Sequence, residues 1–296
     1  MYHFAMHTSS TMGSNSETRS PILECMPERG LENDFLLDVI FSFTALHIAA
    51  FRPHDAERYI AVAVRYRDRG IARIAPYVAE PSEEVVVPMF WFSVLIGMVT
   101  IAMTVVTRDR SPNAFILTLV KLAQLWRGAE AIAQRAETMG GGEEIIVALR
   151  VRSERGGLQR TSEVAVKLEP NIENHIAELE RHVRGASQMY ADSAAYTRRG
   201  FKSWVAKKTI DEVLSWSAEL GNEFAASLSA GNPLALLCTL VHGVLMHQVD
   251  DRWWAAGSGK AVVHECSTAL ADCNPEWRPL IRWARERVGL SLPLIP

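Results

Sequence analysis

The feature that most constrains this chain is a stretch of twenty-two residues without a charge, from Val85 to Val106, with the sequence VVVPMFWFSVLIGMVTIAMTVV. An amphipathic surface helix would show a polar face at the 3.6-residue period. Here only Ser93, Thr100 and Thr104 interrupt the apolar surface, so a helix over this stretch is apolar on all sides. Lipid or protein must therefore surround it, and its length of about 33 Å suits either environment.

Protein is the environment that the rest of the sequence favours. Pro88 lies near the start of the stretch and Gly97 in its middle, and the flanking segments have the amphipathic patterns of helices in soluble proteins. We identify no second membrane-length apolar segment in the sequence. We therefore predict a buried central helix, covered by several other helices, in preference to a membrane span.

Length, charge and cysteine content narrow the class of protein. With 296 residues, 48% of them apolar, the chain can bury a large core. Its net charge of -3 disfavours direct nucleic-acid binding, which relies on a basic excess to contact phosphates. The cysteines form no CxxC pair, and we expect free thiols in a reducing intracellular compartment. They are Cys25, Cys238, Cys266 and Cys273.

The periodicity of the remaining sequence predicts an all-α fold. We expect a mobile polar tail over residues 1–30, which lack the basic start and apolar run of a secretory signal. Residues 31–296 are predicted to form one domain, a multi-helix orthogonal bundle around the central helix. Asn232 and Pro233 are a suitable cap and first residue for a second strongly apolar helix, expected beside the central one. Within residues 140–170 the apolar period shortens to two, which predicts a peripheral hairpin-like or loop insertion.

Two stretches of the chain together resemble a known family. Residues 34–49, DFLLDVIFSFTALHIA, and residues 231–283, which begin GNPLALLCTLVHG, are similar to the C-terminal regulatory domain of fungal binuclear zinc-cluster transcription factors, of the sterol uptake control protein type. The resemblance extends from Leu31 to Trp283 with a divergent middle. Its most specific points are Ala45-Leu46-His47, Asn232-Pro233 with Ala235-Leu236, and Trp253-Trp254.

The resemblance implies a helical domain that binds a sterol-like or other apolar small molecule. It does not imply DNA binding, because the zinc cluster of that family needs six closely spaced cysteines, and none precede Leu31 in that pattern. The chain also departs from the family at Ala284, where we expect proline after Trp283.

An apolar ligand would be enclosed by aromatic and methionine side chains, which adapt to irregular shapes, with a few polar groups to orient it. The predicted ligand-binding residues are Phe90, Trp91, Val94, Met98, Trp126, Met246 and Trp253. The predicted catalytic hydrogen-bond donors are His242, His247, Thr100 and Trp254. A filled core built from the same side chains is the alternative reading of this pattern.

Other motifs do not predict a metal or a cofactor. His242 and His247 are five positions apart, about 140° on a helix, so they cannot share one metal ion. The Asp250-Asp251 pair lacks the partner motif of a magnesium-dependent terpene cyclase. The run from Gly257 to Lys260 lacks the first glycine and the hydroxyl residue of a phosphate loop, so it is predicted to be a turn.

Two functional classes remain. The first is a stand-alone, cofactor-independent cyclase of fungal secondary metabolism, of Diels–Alder type, which holds a terpenoid or polyene in one reactive conformer. The second is a ligand-sensing regulator of the zinc-cluster family that lacks its own DNA-binding domain. We place the enzyme in the cytoplasm and the regulator in the nucleus, each with a small apolar molecule as partner, and homodimerisation is left open.

Overall fold

The structure, a computed structural model, describes residues 1–12, 20–138, 166–207, 210, 213, 216–217 and 219–291, with the side chains of 20–25, 130, 137 and 207 left aside. Within these ranges the secondary structure is helical and no strand occurs. The predicted all-α fold class is confirmed. The orthogonal arrangement of the helices stays a prediction.

The described residues of the first part of the chain form five helices. A short π-helix, Phe4–Thr8, and a 3-10 turn, Ser9–Thr11, precede them. The five are α1 (Ser20–Glu32), α2 (Asp34–Phe51), α3 (Ala56–Val78), α4 (Glu83–Val106) and α5 (Ala114–Thr138).

In the described residues of the second part of the chain, six helices follow. They are α6 (Pro170–Val183), α7 (Gln188–Lys207), α8 (Gly221–Ser229), α9 (Pro233–Met246), α10 (Ser258–Ala269) and α11 (Arg278–Arg287). Short 3-10 turns occur at Pro53–Asp55, His247–Val249 and Pro275–Trp277.

The helices belong to two compact units. The first unit contains the described residues of Met1–Arg108 and Leu125–Ser162, and the second those of Asp109–Gln124 and Glu163–Pro296. The predicted neighbours α4 and α9 fall in different units, so their pairing stays a prediction. The expectation of one domain over residues 31–296 also stays a prediction.

The central helix α4 is buried in the first unit. It packs against α2 and α3, and most of its side chains from Val86 to Ala102 are inaccessible to solvent. It begins two residues before the predicted start, at Glu83, because Glu83 and Glu84 suit the positive end of a helix dipole. Burial of this uncharged surface is the main hydrophobic contribution of the helix to the stability of the unit.

Helix α3 contains a proline and an arginine-rich face. Pro76 lies inside the helix, which continues to Val78. On the arginine-rich face, Arg69 donates to the Asp38 carboxylate from Nε at 2.8 Å, and Arg73 donates at 3.0 Å. Asp38 is only 1% exposed, so the two guanidinium groups compensate a buried charge.

The second unit is built around α9, whose residues from Ala235 to Met246 are buried. The predicted cap is confirmed: the Asn232 side chain accepts hydrogen bonds from the backbone N–H groups of Leu234 at 3.0 Å and Ala235 at 3.4 Å. Helix α10 packs closely on α9. A Cβ atom on Gly259 would lie 2.2 Å from the backbone nitrogen of His247, so only glycine fits at this position.

Several predicted segments are only partly described. Of the predicted insertion, residues 140–165 lie outside the described residues. Of the predicted tail, residues 2–11 and 20–30 are helical and Phe4 is fully buried, while its mobility stays a prediction. The three cysteines whose side chains are described, Cys238, Cys266 and Cys273, are free thiols as predicted.

More than one segment has membrane-spanning length and composition. Within the described residues, α2 and α4 each meet these criteria, and α8 with Pro233–Val249 meets them as one pair bent by 101°. The sequence prediction found only α4. Sequence inspection missed α2 because Asp34 and Asp38 interrupt its apolar surface.

Candidate functional site

The predicted site residues are divided between the two units. Those in the first unit are Phe90, Trp91, Val94, Met98 and Thr100 on α4, and Trp126 on α5. Those in the second unit are His242 and Met246 on α9, His247 in the next turn, and Trp253 and Trp254 before α10. Each set is described by itself.

In the first unit, the indole of Trp91 is the most distinctive of these groups. Trp91 is 3% exposed and packs edge-on against Phe90, with ring centroids 5.1 Å apart. Its Nε1–H has no hydrogen-bond partner among the described residues. A buried donor without a partner costs about 1–3 kcal/mol and marks a place where a water or a ligand acceptor is expected.

The other predicted residues of the first unit are less suited to polar contacts. The hydroxyl of Thr100 donates to the backbone oxygen of Ile96 at 2.7 Å, so its proton is already used within α4. Met98 and Trp126 are buried, and Val94 is partly exposed. This set therefore supplies apolar walls and one indole donor.

In the second unit, His242 is a buried histidine stacked on a tryptophan. Its imidazole lies parallel to the Trp216 ring, with centroids 3.9 Å apart and planes 5° from parallel. His242 is 1% exposed, and burial lowers its pKa to about 3 in spite of a hydrogen bond to the backbone of Val213. The imidazole is therefore neutral near pH 7.

The Nδ1 atom of His242 is the ring nitrogen that can accept a hydrogen bond from a ligand. Its Nδ1 has no hydrogen-bond partner among the described residues. The bond to the Val213 backbone favours the charged form of the imidazole, which identifies the ring as the donor to that carbonyl. In a neutral imidazole one nitrogen donates and the other accepts, so Nδ1 is an unused acceptor in an apolar interior.

A small apolar cavity adjoins Trp216. Its volume is about 10 Å³, enough for about one water molecule. Its lining residues are Leu119, Val120, Ala123, Trp216, Ser217, Leu220, Phe224, Ala225 and Leu228. This space is too small for a larger ligand.

His247 forms a pair with an acidic residue of the same turn. Its Nδ1 lies 2.6 Å from an Asp250 carboxylate oxygen, which holds the ring in the tautomer with hydrogen on Nδ1. The other carboxylate oxygen accepts from the backbone N–H of Gly259 at 2.9 Å, at the start of α10. A histidine oriented by a carboxylate, with Nε2 left for a substrate, is the usual form of a general base.

The aromatic residues that follow differ in burial. Trp254 is fully buried, Met246 is 5% exposed at the end of α9, and Trp253 is partly exposed. Trp254 thus has no surface by which an incoming substrate could contact it in this state. His242 is stacked on Trp216, whereas His247 is paired with Asp250.

Sequence reasoning missed two partners of these histidines. Asp250 follows His247 by three positions, a spacing that could have suggested the pair. Trp216 comes from a different part of the chain, and no local signal connects it with His242. Sequence reasoning also missed a group of three histidines in the first unit, His3, His7 and His47.

No group of three or more His, Cys, Asp or Glu side chains suited to a metal ion occurs within the described ranges. Comparison of the chain with protein-family models, with curated proteins and with solved structures finds no match. The resemblance to zinc-cluster regulators therefore rests on the quoted residues alone.

Proposed function

We propose that this protein binds an apolar small molecule of terpenoid, sterol or polyene type, and that it promotes cyclisation of a polyene without a cofactor. The observation that carries the proposal is the buried, neutral His242, which is stacked on Trp216 and whose Nδ1 acceptor has no partner in the described part of the chain. An apolar molecule with a single hydroxyl would satisfy this acceptor and bury the rest of its surface.

The energetics favour such a ligand over a polar one. Binding replaces a buried acceptor without a partner by a hydrogen bond, and that exchange is favourable by about 1–3 kcal/mol. The surrounding side chains, among them Trp216 and Phe224, offer mainly apolar contacts to the remainder of a ligand. A ligand rich in polar groups would lose its hydration without compensation.

Ligand entry requires the Trp216 ring to separate from His242. The adjoining cavity of about 10 Å³ is too small for a terpenoid in the closed state. The stack between the two rings contributes about 0.5–1.5 kcal/mol beyond burial, which ligand binding must replace. We infer that the free protein is closed and that binding opens it, a population shift driven by the differential affinity for the open state.

Cyclisation of a polyene fits a site of this composition. An intramolecular pericyclic cyclisation converts π bonds to σ bonds within one molecule and needs no oxidant, reductant or group donor. Holding the chain in one reactive conformer lowers the entropic part of the barrier, a contribution of several kcal/mol. His247, oriented by Asp250, is the general base that we assign to an acidic hydrogen of the substrate.

The second candidate function is a ligand sensor. The inferred closed state of the free protein, with Trp216 stacked on His242, favours it. A switch that opens on binding is as useful to a regulator as to an enzyme. The two functions differ in turnover: the sensor binds without changing its ligand, whereas the enzyme releases a product.

Binding is tested by comparing a matched alcohol and hydrocarbon. Farnesol and farnesene differ in one hydroxyl, and we expect farnesol to bind about fivefold or more tightly, since a neutral hydrogen bond contributes about 1 kcal/mol. The His242→Phe variant keeps an aromatic ring on Trp216 but has no acceptor, so the preference should disappear. Equal affinities in the parent protein would reject His242 as the ligand acceptor.

Catalysis is tested separately with a linear triene substrate. We expect a higher rate and one stereoisomer in excess relative to buffer, and we expect both to decrease in His247→Ala and Asp250→Asn. Binding with unchanged rate and product ratio would leave the sensor as the function.

A further inference from the structure

Three imidazoles meet at an open cavity of the first unit. The rings of His3 and His7 are 4.9 Å apart and those of His3 and His47 are 5.3 Å apart, measured between centroids. His3 Nε2 lies 3.3 Å from His47 Nδ1. The cavity that they border has a volume of about 460 Å³, within the range of small-molecule sites.

The packing of the N-terminal helix on α2 holds this cluster together. Phe4 is fully buried, and the Thr8 hydroxyl lies 2.9 Å from His47 Nδ1. His47 also packs edge-on against Phe51, one turn further along α2, with centroids 5.0 Å apart. These contacts connect the N-terminal segment to α2 beside the three imidazoles.

The electrostatics of the cavity favour a negative charge. Its lining contains no carboxylate, while the Arg52 guanidinium contributes a positive charge. Burial, and then the charges of His3 and His7, lower the pKa of His47 to about 4. Burial, and then His7 and Arg52, lower the pKa of His3. Because the lowered pKa values keep these imidazoles neutral near pH 7, the positive potential of the lining comes from the Arg52 guanidinium, which attracts an anion.

The rim of the cavity is apolar and exposed. Met6, on the short N-terminal helix, is 58% exposed, and Phe51, at the end of α2, is 65% exposed. Exposed large apolar side chains around a polar centre are typical of a binding site for a molecule with both kinds of surface.

We propose that this cavity binds an amphipathic carboxylate, with its head group on Arg52, His3 and His7 and its alkyl chain over Met6 and Phe51. A guanidinium can hold a carboxylate through two parallel hydrogen bonds, and imidazole N–H groups supply further donors. This site has its own residues in the first unit and does not depend on the function proposed for His242 and His247.

Calorimetric titration with three probes tests the proposed ligand. Decanoate has both the head group and the chain, acetate has only the head group, and decanol has only the chain. We expect decanoate to bind at least tenfold more tightly than either of the others. Decanol binding as tightly as decanoate would overturn the proposal, and so would the absence of decanoate binding.

Two arginine variants test the location. Arg52→Gln should weaken decanoate binding at least fivefold, whereas Arg58→Gln, an exposed arginine on α3 outside the lining, should leave it unchanged. His3 and His47 imidazole signals in NMR spectra should shift with decanoate in the parent protein, which a purely structural role of Arg52 would not produce. Equal binding by Arg52→Gln and the parent protein would reject the site.

A lipid headgroup is the other source of an anion beside apolar chains. Vesicles of phosphatidylcholine with phosphatidylserine test it by co-sedimentation. Vesicle binding without decanoate binding would replace the free carboxylate by a membrane surface and so contradict the proposal. Decanoate binding without co-sedimentation would support it.

Discussion

The imidazole of His242 and the indole of Trp216 lie face to face, with ring centroids 3.9 Å apart and planes 5° from parallel. Parallel stacking at this distance places a polar ring against an apolar one with no solvent between them. Because burial disfavours the charged imidazole of His242, the free energy of unfolding depends on pH.

We expect acid to destabilise the protein through His242. Its pKa in the folded state is about 3, below the ordinary value of 6.5, so the unfolded chain takes up a proton at a higher pH than the folded chain. The stabilising contribution is complete above pH 6.5 and is lost as the pH falls towards 3, at about 1.4 kcal/mol per pH unit. Urea unfolding between pH 7 and 5 measures this slope. His242→Phe should flatten it, and identical slopes for the two proteins would contradict the assignment.

Trp216→Ala should leave an apolar cavity beside His242. The loss of a buried indole costs about 3–5 kcal/mol of unfolding free energy. Added indole should refill the cavity and raise the thermal midpoint of the variant, because a ligand that binds only the folded state stabilises it. Trp253→Ala, at a partly exposed position, is the control and should show no such recovery. Equal rescue of both variants would argue against a specific cavity.

Asp250→Asn should destabilise the junction between α9 and α10. The carboxylate accepts from the backbone N–H of Gly259 and pairs with His247, and the amide replaces one acceptor oxygen by a donor. We expect a loss of about 1–2 kcal/mol in unfolding free energy. Asp251→Asn is the matched control, since the Asp251 side chain is 78% exposed, and it should change stability by less than about 0.5 kcal/mol.

Gly259→Ala should be strongly destabilising. The new methyl group would lie 2.2 Å from the backbone nitrogen of His247 and 2.5 Å from its Cα, and backbone atoms cannot move aside cheaply. We expect a loss of more than about 3 kcal/mol. Gly128→Ala, in α5 with nothing within 4 Å of the new methyl group, should instead stabilise by about 0.5–1 kcal/mol. Chemical denaturation of both variants provides the comparison.

The sequence predicted the elements whose signals are local. The absence of charge over Val85–Val106 required burial, and α4 is buried. The polar side chain and the proline at Asn232–Pro233 predicted the start of α9 because capping involves residues two or three positions apart.

The partners of the candidate residues were less accessible to prediction. His242 and His247 could be selected from the sequence as polar residues in an apolar helix, but Trp216 is brought to His242 only by tertiary packing. The cluster of His3, His7 and His47 was missed for a similar reason. It needs the N-terminal segment to dock on α2, and a segment with few apolar residues gives no periodic signal of docking.

The crossing of α9 and α10 also limits how this protein can be redesigned. His247 and Asp250 share a hydrogen bond, Asp250 is bound to the amide of Gly259, and Gly259 lies against the backbone of His247. Each of the three residues therefore contacts the other two. Substitutions there are coupled and will not add as independent contributions do. A mutant library that varies these positions one at a time would mostly disrupt these contacts. The three positions should therefore be varied together or left unchanged.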